Sequence, residues 1–355
     1  MLNRPELSKR RIGIIEANHK VVEKTWSFWE KGGGQWDQLL HFHWKKGSFI
    51  DHQRAIDLKM EPYAYKMVRS EDFVGHFKKI ILSSDHLEWI EDQIIEVDEL
   101  NATAHSKERS YHAQHIFDSR FDPNELKRHE GPGVLQHFKG WFIETEDAVF
   151  DPETFVMMDY RLAYPDQCAF TYILPLSERK ALVEYTFFSP KVLSSDEYDA
   201  LLQKYISQYI GTNNYQITGN EAGVIPMSSY RFDQFNTEKY TRIGTAGGWV
   251  KASTGYSFKH AEKKSKKIAD NLARGRLASK GTGNGRFRLY DKIFLSLLEN
   301  ENQLGNDIFI QMYRKNSSKL IFRFLDEETN PFEELYLISR FRHAPFLRAV
   351  GREFF

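Results

Sequence analysis

The sequence predicts a mixed α+β and α/β fold built as two interleaved domains. Short strand and helix patterns at 11–16 and 240–275 are typical of a parallel sheet, in which helices connect the strands. The long strand-rich run at 135–186 is typical of an antiparallel sheet. We therefore expect a parallel sheet with an antiparallel sheet beside it, followed by a helical tail from residue 286.

The composition excludes several classes of protein. Lys and Arg together number 49, as do Asp and Glu, so no overall charge attracts nucleic acid. Cys168 is the only cysteine, which excludes a disulfide framework and indicates a reducing compartment. No apolar run approaches the ~20 residues of a membrane-spanning helix, and the first residues do not resemble a signal peptide. We expect an intracellular protein, either soluble or peripheral to a membrane.

The first predicted strand ends in an acid. Residues 11–16 form a short apolar run typical of a buried parallel strand, and the run closes at Glu16. In dinucleotide-binding folds, an acid at the end of the second strand binds a ribose hydroxyl. Glu16 is therefore a candidate cofactor ligand, the alternative being an ordinary surface acid at a strand end.

The next hundred residues predict short strands and one helix. Residues 25–66 are rich in Trp, His and Tyr with turn signals, which indicates short strands and loops that cover the core. The spacing of apolar residues over 70–82 predicts an amphipathic helix with Ser70 as its N-cap. A β-meander with a turn at Asn101 is expected over 87–117.

The central segment predicts antiparallel strands followed by a helix. Its clearest strand-like runs are 169–174 and 181–187. Ser194 and Glu197 have the spacing of a capping box, which starts a helix. Gly211 is expected to end that helix, because glycine readily adopts the left-handed conformation found after a helix C-terminus.

A glycine-rich stretch at 244–256 follows a short strand pattern at 240–243 and precedes a helical pattern at 256–275. Glycine lets a backbone approach a ligand closely, and the first turn of a helix favours an anion. The stretch therefore predicts a phosphate- or cofactor-binding turn, with a plain tight turn as the alternative. Its candidate cofactor ligands are Gly244, Ala246, Gly247, Gly248, Thr254, Gly255 and Tyr256.

Two acids lie in apolar strand patterns. Glu184 is inside the run 181–188, where loss of hydration would raise its pKa and favour the protonated form. The alternative is a carboxylate that faces solvent or pairs with an arginine. Asp159 ends another apolar run, and it is either a second reactive acid or a turn-forming residue paired with Arg161.

Aromatic side chains near these segments are candidates for stabilising a cation, since ring faces attract positive charge. These candidates, each of which is alternatively an ordinary core residue, are Tyr172, Tyr185, Phe187, Trp249 and Tyr256. The histidine pairs of the chain lack further ligands at a metal-binding spacing, so we expect no metal site. Lysines along 259–267 predict a solvated helix face or, alternatively, a contact with anionic lipid.

Several blocks of the sequence resemble bacterial lycopene cyclases, which are flavin-containing enzymes of carotenoid synthesis. The blocks that carry the resemblance most clearly are 155–160, 183–186 and 244–258. The others, which follow the family's order, are 25–30, 117–120, 136–141 and 221–227. The resemblance implies the two-domain flavoprotein fold of FAD-dependent hydroxylases and geranylgeranyl reductases.

The resemblance also implies an activity: the ψ-ends of lycopene are cyclised to β-ionone rings, giving γ-carotene and then β-carotene. It implies reduced FAD as cofactor, NAD(P)H as its reductant, and no net redox change. Glu184 matches an acid in a motif regarded as catalytic, as general acid or as counter-charge to the cation. Asp159 would deprotonate the cation or orient Glu184.

Lycopene and other ψ-end carotenoids dissolve in membranes, so we expect a cytoplasmic protein in peripheral contact with the inner face of the cytoplasmic membrane. Two alternatives stay open. One is another FAD- and NAD(P)H-dependent hydroxylase or reductase of the same fold. The other is a non-catalytic, truncated remnant that is unable to bind FAD.

The expected domains are discontinuous. They are an FAD-binding domain (1–24, 67–132 and 228–280), an antiparallel-sheet substrate domain (25–66 and 133–227) and a C-terminal helical region (281–355). The family begins with a strand and a G-x-G-x-x-G turn that binds the FAD pyrophosphate, and this chain has neither before residue 11. Val22, Glu23 and Lys24 also replace the family's Asn-Asp-Arg. We therefore expect an FAD-binding domain that lacks its first strand and helix, in a chain shortened at its N-terminus.

Overall fold

The computed structural model describes residues 4–17, 23–127, 131–283 and 285–355. Its strands are β1 (Ile12–Glu16), β2 (Thr25–Lys31), β3 (Leu40–Trp44), β4 (Lys46–Ile50), β5 (Ala55–Leu58), β6 (Tyr63–Arg69), β7 (Leu87–Glu91), β8 (Glu96–Asp98), β9 (Thr103–His105), β10 (Ser110–His112), β11 (Ile116–Asp118), β12 (Gly133–Thr145), β13 (Thr154–Asp159), β14 (Cys168–Pro175), β15 (Lys180–Ser189), β16 (Tyr215–Ser228) and β17 (Tyr240–Arg242). Its helices are α1 (Ser70–Leu82), α2 (Pro123–Lys127), α3 (Ser195–Tyr205), α4 (Phe258–Ala273), α5 (Phe287–Asn300), α6 (Gly305–Lys315), α7 (Ser318–Leu325), α8 (Pro331–Ile338) and α9 (His343–Phe354).

A seven-stranded sheet lies at the centre, in the order β16–β12–β15–β14–β13–β4–β5. Neighbouring strands are antiparallel except for the parallel pair β13 and β4. Residues 181–189 of β15 are all buried, because both faces of the sheet are covered. The sheet therefore offers two separate interior faces, and alternate residues of each strand point to opposite ones.

Different elements cover the two faces. On one face, Leu202 and Tyr205 of α3 pack in a cluster with Tyr185 and Phe187 of β15. On the other face lie the three-stranded sheet β2–β6–β3 and the helices α5, α6 and α7, which share one large core cluster with the seven-stranded sheet. That second face is where polar side chains of both sheets meet.

The parallel strands form two pairs. β1 pairs with β7, and β11 pairs with β17. Within the described residues, no further strand joins either pair. Between them along the chain, β8, β9 and β10 form the expected antiparallel meander, with Asn101 in its first turn. The expected parallel sheet is thus present as two separate two-stranded sheets, in addition to the large, mostly antiparallel sheet.

Several element ends are as the sequence predicts, and one cap differs. α1 has the predicted bounds, and the Ser194 capping box begins α3. Gly211 ends the single π-helical turn that extends α3, with φ 81°. Ser70 is not the N-cap of α1: it is the first helical residue, Arg69 takes the cap position, and the Ser70 hydroxyl accepts the Lys24 N–H at 2.9 Å.

Candidate active site

Two acids, a glycine and a tyrosine lie in one row across four adjacent strands. Gly140 of β12 is the register partner of Glu184 on β15 and of Glu221 on β16. Glu184 is in turn the partner of Tyr172 on β14. Register partners in a sheet place their side chains on the same face. Glu221, Glu184 and Tyr172 therefore point together toward the face that the β2–β6–β3 sheet covers.

Because Gly140 has no side chain, β12 places no side chain between the two acids. A Cβ at this position would lie 2.9 Å from Leu182 Cδ1 and 3.1 Å from the Cβ of Glu184, which is closer than ordinary van der Waals contact. No side chain therefore stands between Glu184 and Glu221 on β12. The two carboxyl groups are both buried on this face, and we call the region around them the compartment.

Glu184 is set up to hold a proton at neutral pH. Its side chain is 8% exposed. Burial raises its pKa to about 8, and the charge of Glu221 adds to the effect. The Thr186 hydroxyl donates a hydrogen bond of 2.6 Å to Oε1 of Glu184 and acts in the opposite direction. A buried carboxylic acid is the form that can donate a proton to a weak base.

Glu221 is the second acid of the site and is tied to the smaller sheet. Its side chain is also 8% exposed, and burial raises its pKa. Thr25 on β2 donates to it twice, from the backbone N–H at 3.0 Å and from Oγ1 at 2.9 Å. These bonds lower the pKa of Glu221 against the effect of burial. The contact joins the edge of the large sheet to the sheet above it.

A cluster of tyrosines lines the same compartment. Tyr172 donates to the Tyr65 hydroxyl at 2.8 Å, and the hydroxyls of Tyr65 and Tyr256 lie 3.4 Å apart. Burial raises the pKa of all three phenols, so they are neutral at physiological pH. Trp29 meets the Tyr256 ring edge-on, with 4.5 Å between ring centroids. The compartment is thus rich in neutral aromatic faces, which stabilise cations.

Three of the predicted aromatic candidates lie elsewhere. Tyr185 and Phe187 alternate with Glu184 along β15, so they point to the opposite face and pack with α3. The Tyr185 hydroxyl donates to the Leu162 carbonyl at 2.8 Å. Trp249 belongs to a separate cluster with Ile268 of α4. Their predicted contact with a cation beside Glu184 is corrected accordingly, whereas Tyr172 is on the predicted face.

Asp159 is also separated from Glu184. Its register partner is Thr171, the neighbour of Tyr172, so it points to the α3 face of the sheet. The Asp159 carboxylate accepts hydrogen bonds from the Arg161 guanidinium at 3.0 and 3.1 Å and from the Tyr205 hydroxyl. It is fully buried in this network. The structure therefore corrects the expectation that Asp159 orients Glu184, and supports the alternative of a structural pair with Arg161.

The glycine-rich stretch is a compact turn followed by a loop, and not a helix N-terminus. Residues Gly244–Gly247 form one 3-10 turn, and α4 begins only at Phe258. A Cβ on Gly247 would lie 2.4 Å from the Arg242 carbonyl oxygen, so close backbone packing explains this glycine. The helix expected after the stretch, at 256–275, is present as α4 (Phe258–Ala273), and a loop separates its first residue from the 3-10 turn.

The loop after the turn passes against the large sheet beside the acids. Gly255 has φ +75°, and a Cβ on it would lie 1.6 Å from Oε1 of Gln136. Gln136 is on β12, on the same face as Gly140. Tyr256, the next residue, enters the tyrosine cluster. One segment thus links the glycine-rich turn to the compartment of Glu184.

Orphaned polar atoms mark this segment as a candidate cofactor site. Oε1 of Gln136 and Oγ1 of Thr254 are buried and have no hydrogen-bond partner among the described residues. A nearby cavity of about 40 Å³ is lined by Thr245 and Gly248 among others. That volume holds on the order of one to three waters, so the orphaned atoms and not the empty space carry the assignment. A ligand with N–H or O–H donors would satisfy these two acceptors.

Two further candidate cofactor ligands, Ala246 and Glu16, lie in different parts of the structure. Ala246 is buried inside the 3-10 turn, with its side chain in the protein interior. Glu16 is exposed at the carboxyl end of β1, opposite Glu91 of β7. The carboxyl ends of parallel strands are where dinucleotides bind, so Glu16 stays a predicted ribose ligand.

Sequence reasoning missed the second acid and its partners. Glu221, Gly140 and Thr25 each fall inside a block of family resemblance, at 221–227, 136–141 and 25–30. The blocks of family resemblance therefore already contained all three residues. Only the strand register shows that the three blocks meet, because their separation along the chain hides the contact.

The lysines of α4 are engaged within the protein. Lys259 pairs with Glu30 and Glu262, and Lys266 pairs with Glu262. Lys264 is buried, and its Nζ lies 3.3 Å from the Gly248 carbonyl oxygen. Lys263 and Lys266 pair with acids while more than half exposed, which favours the predicted solvated helix face over a lipid-binding one.

Across the described ranges, no helix has the length and apolar character needed to cross a membrane. The same part of the chain contains no group of three or more His, Cys, Asp or Glu side chains arranged to hold a metal ion.

Comparisons with known proteins give both a fold and a family. The structure is similar to a geranylgeranyl bacteriochlorophyll reductase-like protein from Thermoplasma acidophilum, with a TM-score of 0.54 and 14% identity over 92% of this chain and 85% of that chain. It is also similar to a triple mutant of the flavin-dependent brominase Bmp2, with a TM-score of 0.50 and 15% identity over 89% and 84% of the two chains. A third similar structure is the halogenase PltM, with a TM-score of 0.52 and 10% identity over 88% and 75%. At these identities, the comparisons establish the fold, which is the expected geranylgeranyl reductase-like flavoprotein fold.

Comparison with curated proteins gives no match. The profile of the family described as "Lycopene cyclase protein" matches residues 4–350, which is nearly the whole chain. The match includes the strands that hold Glu184 and Glu221 and the glycine-rich stretch. The chain belongs to the lycopene cyclase family.

Proposed function

We propose that this protein is a lycopene cyclase that converts ψ-ends to β-ionone rings by protonating a terminal double bond. The observation that carries the proposal is Glu184, a buried acid whose pKa of about 8 keeps it protonated inside a compartment lined by neutral tyrosines. An alkene is a very weak base, so its proton donor needs a dry pocket and a site that stabilises the resulting cation. The burial of Glu184 and the neutral tyrosines beside it support the proposal.

The reaction conserves atoms and electrons within the substrate. Glu184 gives its proton to the terminal double bond, which leaves a tertiary carbocation and a Glu184 carboxylate. A second double bond of the same chain attacks the cation, and this forms the ring carbon–carbon bond and moves the charge into the ring. A ring C–H bond then breaks, its electron pair forms the ring double bond, and the proton returns to the carboxyl pair. The product is an isomer of the substrate.

The aromatic side chains hold the intermediate cation. Tyr65, Tyr172 and Tyr256 meet at their hydroxyls, and Trp29 contacts the Tyr256 ring. Each ring face close to the cation contributes roughly 0.5–2 kcal/mol of stabilisation. Neutral phenols serve this role without trapping the cation, because burial keeps them from ionising.

Reduced FAD is the cofactor in this proposal, with NAD(P)H as its reductant. When bound, the reduced flavin supplies an electron-rich ring that favours positive charge nearby. The residues that would hold it are the glycine-rich stretch 244–256, Gln136, and Glu16 for the ribose. Oε1 of Gln136 and Oγ1 of Thr254 offer acceptors, unpaired within the described residues, to ring N–H groups. In this assignment, 1–24, 67–132 and 228–280 form the FAD-binding domain.

We place the protein in peripheral contact with the inner face of the cytoplasmic membrane. The substrate class supports this, because ψ-end carotenoids are long hydrocarbons dissolved in the bilayer. The outer face of α8 supports it as well. Phe332, Leu335 and Tyr336 recur there at helical spacing and are 85%, 66% and 50% exposed. Such a face is typical of helices that lie on a membrane surface.

The test is conversion of lycopene by the purified chain. The protein, FAD, NAD(P)H and lycopene-loaded vesicles are incubated without oxygen, and pigments are separated by chromatography. We expect γ-carotene and β-carotene, with NAD(P)H consumed far below product. Unchanged lycopene despite bound flavin would overturn the proposal. Consumption of NAD(P)H equal to product would instead identify a reductase of the same fold, and the same stoichiometry only after oxygen is admitted would identify a hydroxylase. Absence of flavin binding would identify a non-catalytic remnant.

A further inference from the structure

The two carboxyl groups of the site are unequal in their hydrogen bonds. Glu221 accepts two from Thr25, one of them from a backbone N–H held in place by β2. Glu184 accepts one, from the hydroxyl of Thr186 two residues along its own strand. Donors directed at a carboxyl group favour its charged form. Glu221 is therefore the better site for a negative charge.

The geometry also opposes charging both acids. They occupy the same register position on either side of Gly140, each is 8% exposed, and no side chain of β12 separates them. Two carboxylates in one dry compartment repel each other, and their protons come off as those of a pair. One proton thus remains with the pair at neutral pH.

The other charged groups around the pair have opposing effects on Glu221, and those beside Glu184 are neutral. Lys24, next to Thr25, favours the charge on Glu221, and Glu23 opposes it. The groups that face Glu184 from other elements are phenols, all with a raised pKa: Tyr65, Tyr172 and Tyr256. The asymmetry between the two acids is therefore set mainly by Thr25.

We infer that Glu221 is a positioning residue for Glu184: the pair holds one proton, and Thr25 fixes the negative charge on Glu221 so that the proton stays on Glu184. This inference rests on the proposed function, because the location of the proton matters for turnover only if Glu184 is the acid. It adds a residue to the site, and it gives Thr25 a task beyond joining two sheets. The charge on Glu221 also favours return of the ring proton to the pair.

The test follows the proton of Glu184 directly. Protein labelled with 13C at the glutamate carboxyl carbon is titrated by NMR without substrate, and Glu184→Gln identifies the Glu184 signal by its disappearance. We expect Glu221→Gln to lower the midpoint of Glu184 by on the order of one pH unit, because the repelling charge is gone. Thr25→Val, which removes one donor and keeps the backbone N–H, is expected to shift part of the proton from Glu184 to Glu221. Glu144→Gln changes a half-buried acid on β12 that pairs with Lys180 at the end of the strand; it is the matched control and is expected to change neither midpoint.

Activity provides the second readout. In lycopene conversion, we expect the pH at which kcat falls on the alkaline side to be lower in Glu221→Gln than in wild type, with KM unchanged. An unchanged Glu184 midpoint in a folded Glu221→Gln protein would overturn the inference and leave the proposed function standing. A shifted midpoint in a protein that never converts lycopene would support the shared proton and overturn the proposed function.

Discussion

Tyr172 donates its phenolic hydrogen to the hydroxyl of Tyr65, 2.8 Å away, across the boundary between the seven-stranded sheet and the β2–β6–β3 sheet. The two residues thus join the sheets on the side of Glu184 away from Glu221. Thr25 joins them on the other side, through Glu221. The candidate site is therefore enclosed by polar contacts between sheets as well as by packing.

The first prediction distinguishes the contribution of the Tyr172 hydroxyl from the contribution of its ring. Tyr172→Phe is expected to lower the free energy of unfolding by about 1 kcal/mol, the typical net value of one hydrogen bond. It keeps the ring face, so cyclisation is expected to stay within a few-fold of wild type. Tyr172→Leu also removes the ring and is expected to lower kcat about tenfold, which corresponds to ~1.4 kcal/mol. Urea unfolding and pigment analysis measure the two effects, and equal kcat in both variants would refute a role for the ring.

The second prediction concerns stability and pH. The pKa of Glu184 is raised to about 8 from 4.5, so the folded protein binds this proton more tightly than the unfolded chain does. The stabilisation is complete below pH 4.5 and is lost as the pH rises toward 8, by up to about 1.4 kcal/mol per pH unit. Glu184→Gln cannot ionise and is expected to show a flatter profile over this range. Urea unfolding at a series of pH values tests this, and parallel profiles would count against a buried, neutral Glu184.

The third prediction tests the corrected role of Asp159. Asp159→Asn leaves Arg161 without a carboxylate partner in a buried network, and we expect a loss of about 2–3 kcal/mol of stability. Turnover per folded molecule is expected to be unchanged, because Asp159 faces the α3 side of the sheet. Glu184→Gln is the contrasting variant, with no cyclisation and near-normal stability at pH 5. Loss of turnover in folded Asp159→Asn would restore the direct role that the sequence suggested.

The fourth prediction uses two glycines with the same backbone conformation. Gly255 and Gly211 have φ of +75° and +81°, so alanine at either position costs about 1–2 kcal/mol of backbone strain. Among the described residues, no atom lies within 4 Å of the place that a Cβ on Gly211 would take, whereas a Cβ on Gly255 would meet Gln136. We expect Gly255→Ala to lose more stability and to bind FAD more weakly than Gly211→Ala. Unfolding curves and flavin fluorescence titration give the comparison, and identical FAD affinity would remove Gly255 from the cofactor site.

The fifth prediction concerns the membrane. Replacing Phe332 and Leu335 on α8 with serine is expected to reduce co-flotation with lipid vesicles, because it removes exposed apolar area. Leu82 and Leu100 are 71% and 79% exposed on other elements, and their serine variants are the matched control. Equal loss of flotation in the two double variants would show that α8 has no special role.

Much of the fold is visible in the sequence because local chemistry decides it. The capping box at Ser194, the left-handed turn at Gly211 and the apolar spacing over 70–82 each depend on residues close together in the chain. Ser70 departs from its predicted cap position because its hydroxyl bonds Lys24, a residue distant in sequence. Contacts between residues that are distant in sequence leave no local sequence pattern from which they could be predicted.

The candidate site is only half visible in the sequence for the same reason. Glu184 stands out as an acid in an apolar strand, but the face to which each neighbour points depends on strand register. Tyr185 is one residue from Glu184 and Asp159 pairs with Thr171, so both point to the opposite face. Strand register alone puts Glu221 and Glu184 on the same face, on either side of Gly140. Sequence identifies the reactive residue type, whereas pairing of strands decides which residues share its compartment.

The size of the residue at position 140 is expected to affect the pKa of Glu184, although residue 140 is not itself ionisable. A methyl group at that position would act as a wedge: it would press on Leu182 and on the Cβ of Glu184, and so alter the spacing between the two carboxyl groups. Repulsion between like charges depends steeply on distance in a medium of low dielectric constant. A larger residue at position 140 is thus expected to change a proton affinity that burial and the hydrogen bonds of Thr25 otherwise set.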